Sequence, residues 1–403
     1  MQRSRDSSLF ALTLMSAAAV LVSIAAAEML LAITCVAWIV QRPAAVVWPS
    51  YFIPLCAFML TTVLALLMSA QPEVGMSSVR KFVLFTMGLL AANMVTTTVR
   101  ARISLGVLLA IGATTSVYAL GQFAIAYIHF LSTRNLADDP TVLARMTGFM
   151  GHWMTFSGEQ LLVWCAAIPA VLMLGRRWMI PLGVVGTALL LSFTRSAWLG
   201  AAAGFVVLGL LMPRKILISA ALPVAVVAVG FSGLIYHRLS FSFKEKQFGP
   251  DTGRFELFIG GIRMIKDHPL FGVGPERIHT EFPHYRGADL AEPNFYYGHL
   301  ENNIVQLAAE RGLLCLTAFL WFIFELYASL LKMLKTASGD IRWIVLSALS
   351  ALTGFMIAGL FSYNFGDSEV LLLLLFIVSL PYGVTRTLPV ADPCPANLAA
   401  IPN

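Results

Sequence analysis

Charge is scarce in this 403-residue chain: Asp, Glu, Lys and Arg together make up 12% of it. Soluble domains carry about 25% charged residues, so too few polar side chains exist here to clothe a water-facing surface. The AVILMFWYC set supplies 58% of the residues, against about 45–50% in soluble proteins. The surplus apolar surface must face lipid, which excludes both a soluble multidomain protein and a disordered chain. Cysteine is sparse as well. Cys35, Cys56, Cys165 and Cys315 fall in apolar runs and Cys394 in a Pro-rich tail, so the spacing offers neither a disulfide framework nor a metal–thiolate site. Asp/Glu pairs at metal-ligand spacing, a P-loop and a nucleotide motif are all missing, and no metal or cofactor is expected. No small-residue cleavage site leads into a polar mature start, so a cleavable signal peptide is not expected either. The formal charge of +6 does not call for nucleic acid, because basic residues in a membrane protein set orientation.

Apolar runs long enough to cross about 30 Å of hydrocarbon lie near 9–40, 52–69, 80–98, 103–131, 160–175, 178–193, 197–212, 216–236, 312–334, 342–362 and 369–385. The first is too long for one plain crossing and carries Glu28. Read as two helices, near 9–25 and 26–40, it brings the expected total to about twelve spans. The fold class expected is all-α, a polytopic transmembrane helical bundle with one large outer loop containing short amphipathic helices. Its divisions are 1–236, a bundle of about nine spans, 237–311, the large loop, 312–386, the C-terminal helices, and 387–403, a Pro-rich tail.

Charge placement supports that layout. If the polar segment 237–302 lies outside the cytoplasm, the inside loops hold Arg3, Arg5, Arg42, Arg100, Arg102, Arg176, Arg177, Arg214, Lys215, Lys332, Lys335, Arg342 and Arg386. Only Asp6, Asp340 and Asp392 oppose them. The short outer loops carry Arg80, Lys81, Arg134, Arg145 and Arg195 against Glu73, Asp138, Asp139, Glu159, Asp367 and Glu369. Such an excess of inner Lys and Arg places both termini in the cytoplasm.

The remaining polar residues then point to one face. His129, His152, His237, His268, His279, His284 and His299 all fall on the outer half, most of them in the long loop, and loops of that length commonly carry function. Within it, Arg254–Lys266 reads as an amphipathic helix with Phe255, Phe258, Ile259, Ile262 and Ile265 on one stripe and Asp251 or Thr252 as cap. Asn302 caps a second helix, with Asn303 following and His299 and Glu301 in the preceding turn. A loop histidine is ordinarily a solvated surface group, but one beside a carboxylate and two amides suits a general base. Arg195 sits in a connection too short to let its guanidinium leave the bundle mouth. Its position fits a snorkelling interfacial arginine or a fork for phosphate oxygens. The loop from Arg145 through His152 to Glu159 alternates aromatics, glycines and single polar residues, as a segment lining a cavity would. Outer arginines with a histidine suit an anionic, membrane-anchored substrate such as a lipid diphosphate.

The segments SFTRSAW (192–198), TGRFELFIGGIRMIKDHPLFGVGP (252–275) and GHLENNIVQLAAERGLL (298–314), with Asn302, Gln306, Glu310 and Gly312 at their spacing, resemble the O-antigen ligase and polymerase superfamily of bacterial inner membranes. The resemblance implies a multi-pass, metal- and nucleotide-independent, inverting, GT-C-like glycosyltransferase facing the periplasm. Its donor would be an undecaprenyl-diphosphate-linked glycan and its acceptor the lipid A core or a similar saccharide. The same likeness covers a polymerase that lengthens a lipid-linked glycan, and a transporter of such lipids is the more distant reading. The positions matching the family's diphosphate arginines are Arg195 and Arg254, with Arg145 added from the outer loop and His152, Asn302 and Asn303 in support. The family histidine matches the His299 neighbourhood. Many relatives read H-x-H-N, and here Glu301 stands at the second histidine, so the base is His299 or Glu301.

Overall fold

The computed structural model describes residues 2–41, 45–212, 214–244, 254–286 and 298–386. Among these residues the regular structure is entirely helical. The first apolar run breaks at residues 20–23 into α1 (Gln2–Ala19) and α2 (Ile24–Gln41), and the Ser16 hydroxyl ties the pair by donating to the Ala27 carbonyl at 2.8 Å. There follow α3 (Phe52–Met68), α4 (Met76–Arg80), α5 (Thr86–Met94), α6 (Thr98–Thr133), α7 (Trp153–Leu174), α8 (Met179–Leu191), α9 (Arg195–Leu211), α10 (Arg214–Gly230) and α11 (Ser232–Lys244). After these come α12 (Arg254–Asp267), α13 (Ile278–Arg286), α14 (Asn303–Thr336), α15 (Gly339–Ala358) and α16 (Ser368–Thr385).

Six of these, α2, α6, α7, α14, α15 and α16, are long and apolar enough to cross a membrane, while α3 and α9 are apolar but shorter. The other expected runs fall short for local reasons. The run 80–98 divides into α4, a 3-10 turn at Lys81–Phe85 and α5. The 13 residues of α8 rise only about 20 Å. The run 216–236 is cut between α10 and α11. Two expectations, the caps Asp251 and Thr252 and the tail 387–403, lie outside the described residues.

Packing follows composition. α16 is apolar on every side, and Val370–Val384 is buried along its whole length against α5, α7 and α15, the behaviour of a central helix. α15 lies closely against α7 and α9, its Ser347 and Ser350 hydroxyls donating to the Ala166 and Gly204 carbonyls. Small residues and cross-helix hydroxyls of this kind replace hydrophobic driving force where lipid is the solvent. Outward, Ile39, Ile53, Ile125, Leu210 and Val229 are exposed, as lipid-facing side chains should be.

The amphipathic helix α12 forms where expected, but it buries the other face. Leu257, Gly260, Gly261 and Met264 pack inward, while Phe255 and Phe258 of the predicted stripe are exposed. The glycines decide this: a Cβ at Gly260 would meet Phe282 at 2.5 Å, and one at Gly261 would meet Val305 at 2.5 Å. The closest approach to α13 and α14 is thus on the small-residue face.

The polar turn after α12 is held by a break in α14. Gly312 has φ 81° and ψ 172° inside that helix, which interrupts its hydrogen-bond ladder. The turn repairs the break: the Val273 and Gly274 N–H groups donate to the Ala309 and Glu310 carbonyls at 2.9 and 3.0 Å, and Leu313 N–H donates to the Pro269 carbonyl at 2.8 Å. The Glu276 N–H completes it, donating to the Glu310 carboxylate. Where lipid cannot hydrogen-bond, such mutual satisfaction is what permits irregular backbone.

A Cβ at Gly312 would overlap the Leu270 carbonyl oxygen, and the positive φ strains any L-residue. Gly312→Ala is expected to cost about 3 kcal/mol or more, read as a large fall in folded protein and melting temperature in detergent. Gly209→Ala, with nothing within 4 Å, is expected to leave both unchanged.

Candidate functional site

The first turns of α7, α9 and α14, the last turn of α15 and the cap of α16 converge on a cleft of ≈ 390 Å³. His152, Thr155 and Ser157 line it from the start of α7, Ser196 and Ala197 from α9, and His299 and Gln306 from the start of α14. Lys81 and Glu276 close another side. The floor is the connection between α15 and α16, through Ser362, Tyr363, Asn364 and Asp367.

That connection has little regular structure, and side chains from elsewhere hold it. Asn303, fully buried, donates to Asn364 at 2.7 Å and accepts from the Phe365 N–H. Asn302 accepts the Ile304 and Val305 N–H groups as the cap of α14, and its amide donates to the Leu360 carbonyl at 2.9 Å. The Lys81 ammonium donates to the Gly366 carbonyl at 2.7 Å, Thr155 to the Asp367 carboxylate at 2.6 Å, and Arg254 to the Phe361 carbonyl at 3.1 Å. Behind them, the Gln306 carbonyl accepts from the Leu300 N–H and its amide donates to Glu310 at 3.2 Å. Asn302, Gln306, Glu310 and Gly312 are therefore a cap, a latch, an acceptor for the turn and the break itself.

The two histidines differ in what surrounds their ring nitrogens. His152 Nδ1 accepts from the Met154 N–H at 3.2 Å and so caps α7. That occupied lone pair leaves Nε2 as the protonated nitrogen of the neutral ring. Burial lowers the His152 pKa, and the charges of Arg145 and His299 lower it further, with Asp367 opposing. His299 instead has Nδ1 buried and 3.4 Å from Glu301 Oε1. The two are within ion-pair reach but not aligned as a hydrogen bond, since neither His299 Nδ1 nor Glu301 Oε2 has a hydrogen-bond partner. Glu301 holds φ 52°, an uncommon left-handed conformation for a non-glycine residue. Tyr363 lies with its ring 5.9 Å from that of His299, and burial raises its pKa, with the Glu310 charge adding to the effect.

Among the expected residues, then, His152 and His299 line the cleft. Glu301 backs His299, and Asn302 and Asn303 shape the floor from behind. Arg195 opens α9 immediately before Ser196, and Arg254 reaches the floor through its carbonyl contact. Arg145 stands one layer out, its guanidinium 4.3 Å from the Trp153 ring and its Nε donating to the Val142 carbonyl at 2.9 Å. Sequence reasoning did not single out Lys81, Glu276, Tyr363 or Asp367. Lys81 and Asp367 were visible only as outer-loop charges, Glu276 followed the glycine-rich turn, and Tyr363 had no signal. Among the described residues, no group of three or more His, Cys, Asp and Glu is placed to hold a metal ion.

Residues 180–320, from α8 through the break in α14, match the family model described as O-Antigen ligase. The match supports assigning the chain to an O-antigen ligase-like superfamily, and an O-antigen ligase- or polymerase-type function in general. No curated protein matches the chain.

Because the folded-state pKa of His152 is lowered, the unfolded state binds more protons as pH falls past the ordinary histidine value of about 6.5. The stability contributed is present above that pH and is lost on acidification toward the folded pKa. His152→Asn keeps an N-cap acceptor without the titration. Thermal melts between pH 7.5 and 5.5 are expected to show a steeper loss for the wild type than for this variant.

Proposed function

We propose that the chain transfers a glycan from undecaprenyl diphosphate to a saccharide hydroxyl at the periplasmic face of a bacterial inner membrane. The observation that carries this reading is the polar cleft in which Glu301 backs His299 while α9 begins at Arg195 beside Ser196 and Ala197. The Thr194 side chain makes no capping hydrogen bond to α9, so the first backbone N–H groups and the Arg195 guanidinium together favour phosphate oxygens. Arg254, bonded to the Phe361 carbonyl beside the cleft floor, supplies the second cation. Exposed Phe255, Phe258 and Phe361 near it offer the prenyl chain an apolar rim facing lipid.

In this reading His299 is the base and Glu301 its orienting partner. A proton on Nδ1 faces the Glu301 carboxylate, which leaves the Nε2 lone pair for the acceptor hydroxyl. As Nε2 takes the hydroxyl proton, the oxygen attacks the anomeric carbon from the face opposite the diphosphate. The bond from that carbon to the phosphate oxygen breaks, the configuration inverts, and undecaprenyl diphosphate leaves with its charge offset by Arg195 and Arg254. Neutral His152, with Nε2–H as donor, is suited to hold a substrate oxygen rather than to take its proton. Glu301 at a position where many relatives carry a second histidine fits this division, because a carboxylate can polarise the neighbouring ring.

The test is reconstitution with a labelled undecaprenyl-diphosphate glycan and candidate acceptors. Label moving to lipid A core indicates a ligase, and lengthening of the lipid-linked glycan indicates a polymerase. Movement across the bilayer without transfer would overturn the transferase reading in favour of a transporter. In the same assay His299→Ala is expected to lower kcat by about 10²–10⁴-fold, the usual contribution of a general base. Glu301→Gln should lower it by a smaller factor of about ten to a hundred. If Glu301→Gln abolishes transfer while His299→Ala retains most of it, the roles are reversed.

A further inference from the structure

One helix touches both turns that present the two arginines flanking the start of the α7 and α9 helices, and it does so through consecutive residues. His237 and Arg238 lie in α11, whose neighbouring Leu234 and Ile235 pack on a satellite apolar cluster that includes Phe123, Met146 and Phe193. His237 Nε2 is 2.9 Å from Asp139 Oδ2. Asp139 organises the turn before Arg145. Its other carboxylate oxygen accepts from the Thr141 N–H and hydroxyl at 2.8 and 2.7 Å, and its carbonyl accepts from Val142, Leu143 and Ala144. Arg238 is 1% exposed, among the largest of the fully buried side chains of the described residues, and its Nε donates to the Phe193 carbonyl at 3.4 Å. Phe193 has φ 51°, in the left-handed region where an aromatic residue persists only if its surroundings impose it. Two residues later Arg195 begins α9.

A buried guanidinium is costly to place, and packing alone would be served as well by an apolar side chain. One bond the guanidinium makes, to the Phe193 carbonyl, bears on the Phe193–Thr194 turn from which α9 starts. We infer that α11 is a clasp, in which Arg238 and His237 act as positioning residues that fix Arg195 in the geometry that binds the donor diphosphate and hold the Arg145 turn in the layer outside the cleft. The inference rests on the diphosphate reading of Arg195 and goes beyond it by adding residues that touch neither substrate.

The experiment measures donor and acceptor KM, kcat and membrane abundance for Arg238→Met, Arg238→Lys, His237→Ala and His237→Gln in the reconstituted system. Arg238→Met and His237→Ala are expected to raise the donor KM about ten-fold, the effect of one charged hydrogen bond lost. The acceptor KM should be unchanged, and the conservative Lys and Gln replacements should restore part of the loss. Arg195→Ala combined with Arg238→Met should be no worse than Arg195→Ala alone, because both act through one group. A donor KM unchanged in the His237 and Arg238 variants, or a fully additive double variant, would overturn the clasp. Should Arg238→Met fail to reach the membrane, the pair of variants at the half-exposed His237 decides the same question. If Arg195→Ala itself leaves donor KM unchanged, the diphosphate reading falls and the clasp with it. If Arg195→Ala is impaired and the α11 variants are not, only the clasp falls.

Discussion

Everything at the polar end of this bundle depends on the interrupted ladder of α14 at Gly312. An unbroken helix there would have no carbonyls to offer, and the turn that follows α12 would have nowhere to place its own N–H groups. The exchange between Val273, Gly274, Leu313 and their partners satisfies both sides at once, the condition that backbone must meet near lipid. It also fixes where Glu276 stands, because its N–H is held by Glu310. Glu276 in turn lines the cleft. A backbone break thus becomes the wall of a site.

The cleft inherits this rigidity. Its floor, the connection from α15 to α16, has few hydrogen bonds of its own and is fixed by Lys81, Thr155, Arg254, Asn302 and Asn303 from separate parts of the chain. Charges are therefore spent on holding carbonyls as well as on facing a substrate. The arrangement suits a reaction in which negative charge grows on a departing diphosphate, since donors fixed in advance need no reorganisation as that charge appears. The difference between His152, whose Nδ1 is committed to a helix cap, and His299, whose Nδ1 lies 3.4 Å from a carboxylate, is what the proposed mechanism uses to divide a hydrogen-bond donor from a base within one cavity.

Much of the framework was legible in the sequence. The shortage of charge announced a membrane bundle, and Glu28 in an overlong apolar run anticipated the division into α1 and α2. The spacing of Asn302, Gln306, Glu310 and Gly312 marked one important segment, although its meaning as cap, latch, acceptor and break needed the turn it meets. Periodicity misjudged α12 because it reports which residues share a face. It cannot say which face meets protein when exposed apolar side chains are welcome in lipid. Lys81, Tyr363 and Asp367 stayed hidden for another reason. Lys81 is hundreds of residues from Tyr363 and Asp367, and packing of α16 against α5 and α7 brings them together. The run 80–98 looked like one span because hydropathy averages over the 3-10 turn at Lys81–Phe85 that points Lys81 inward.

The central claim is that a lipid diphosphate binds at this cleft with Arg195 and Arg254 as its cations. Its most direct measurement is equilibrium binding of a labelled short-chain polyprenyl diphosphate to the detergent-solubilised protein. The expected result is a Kd weakened about ten-fold or more by Arg195→Ala and by Arg254→Ala, the loss of a charge-assisted contact. No change is expected for Arg177→Ala, an exposed residue beyond the opposite end of α7. Equal affinity in all three variants and the wild type would contradict the claim.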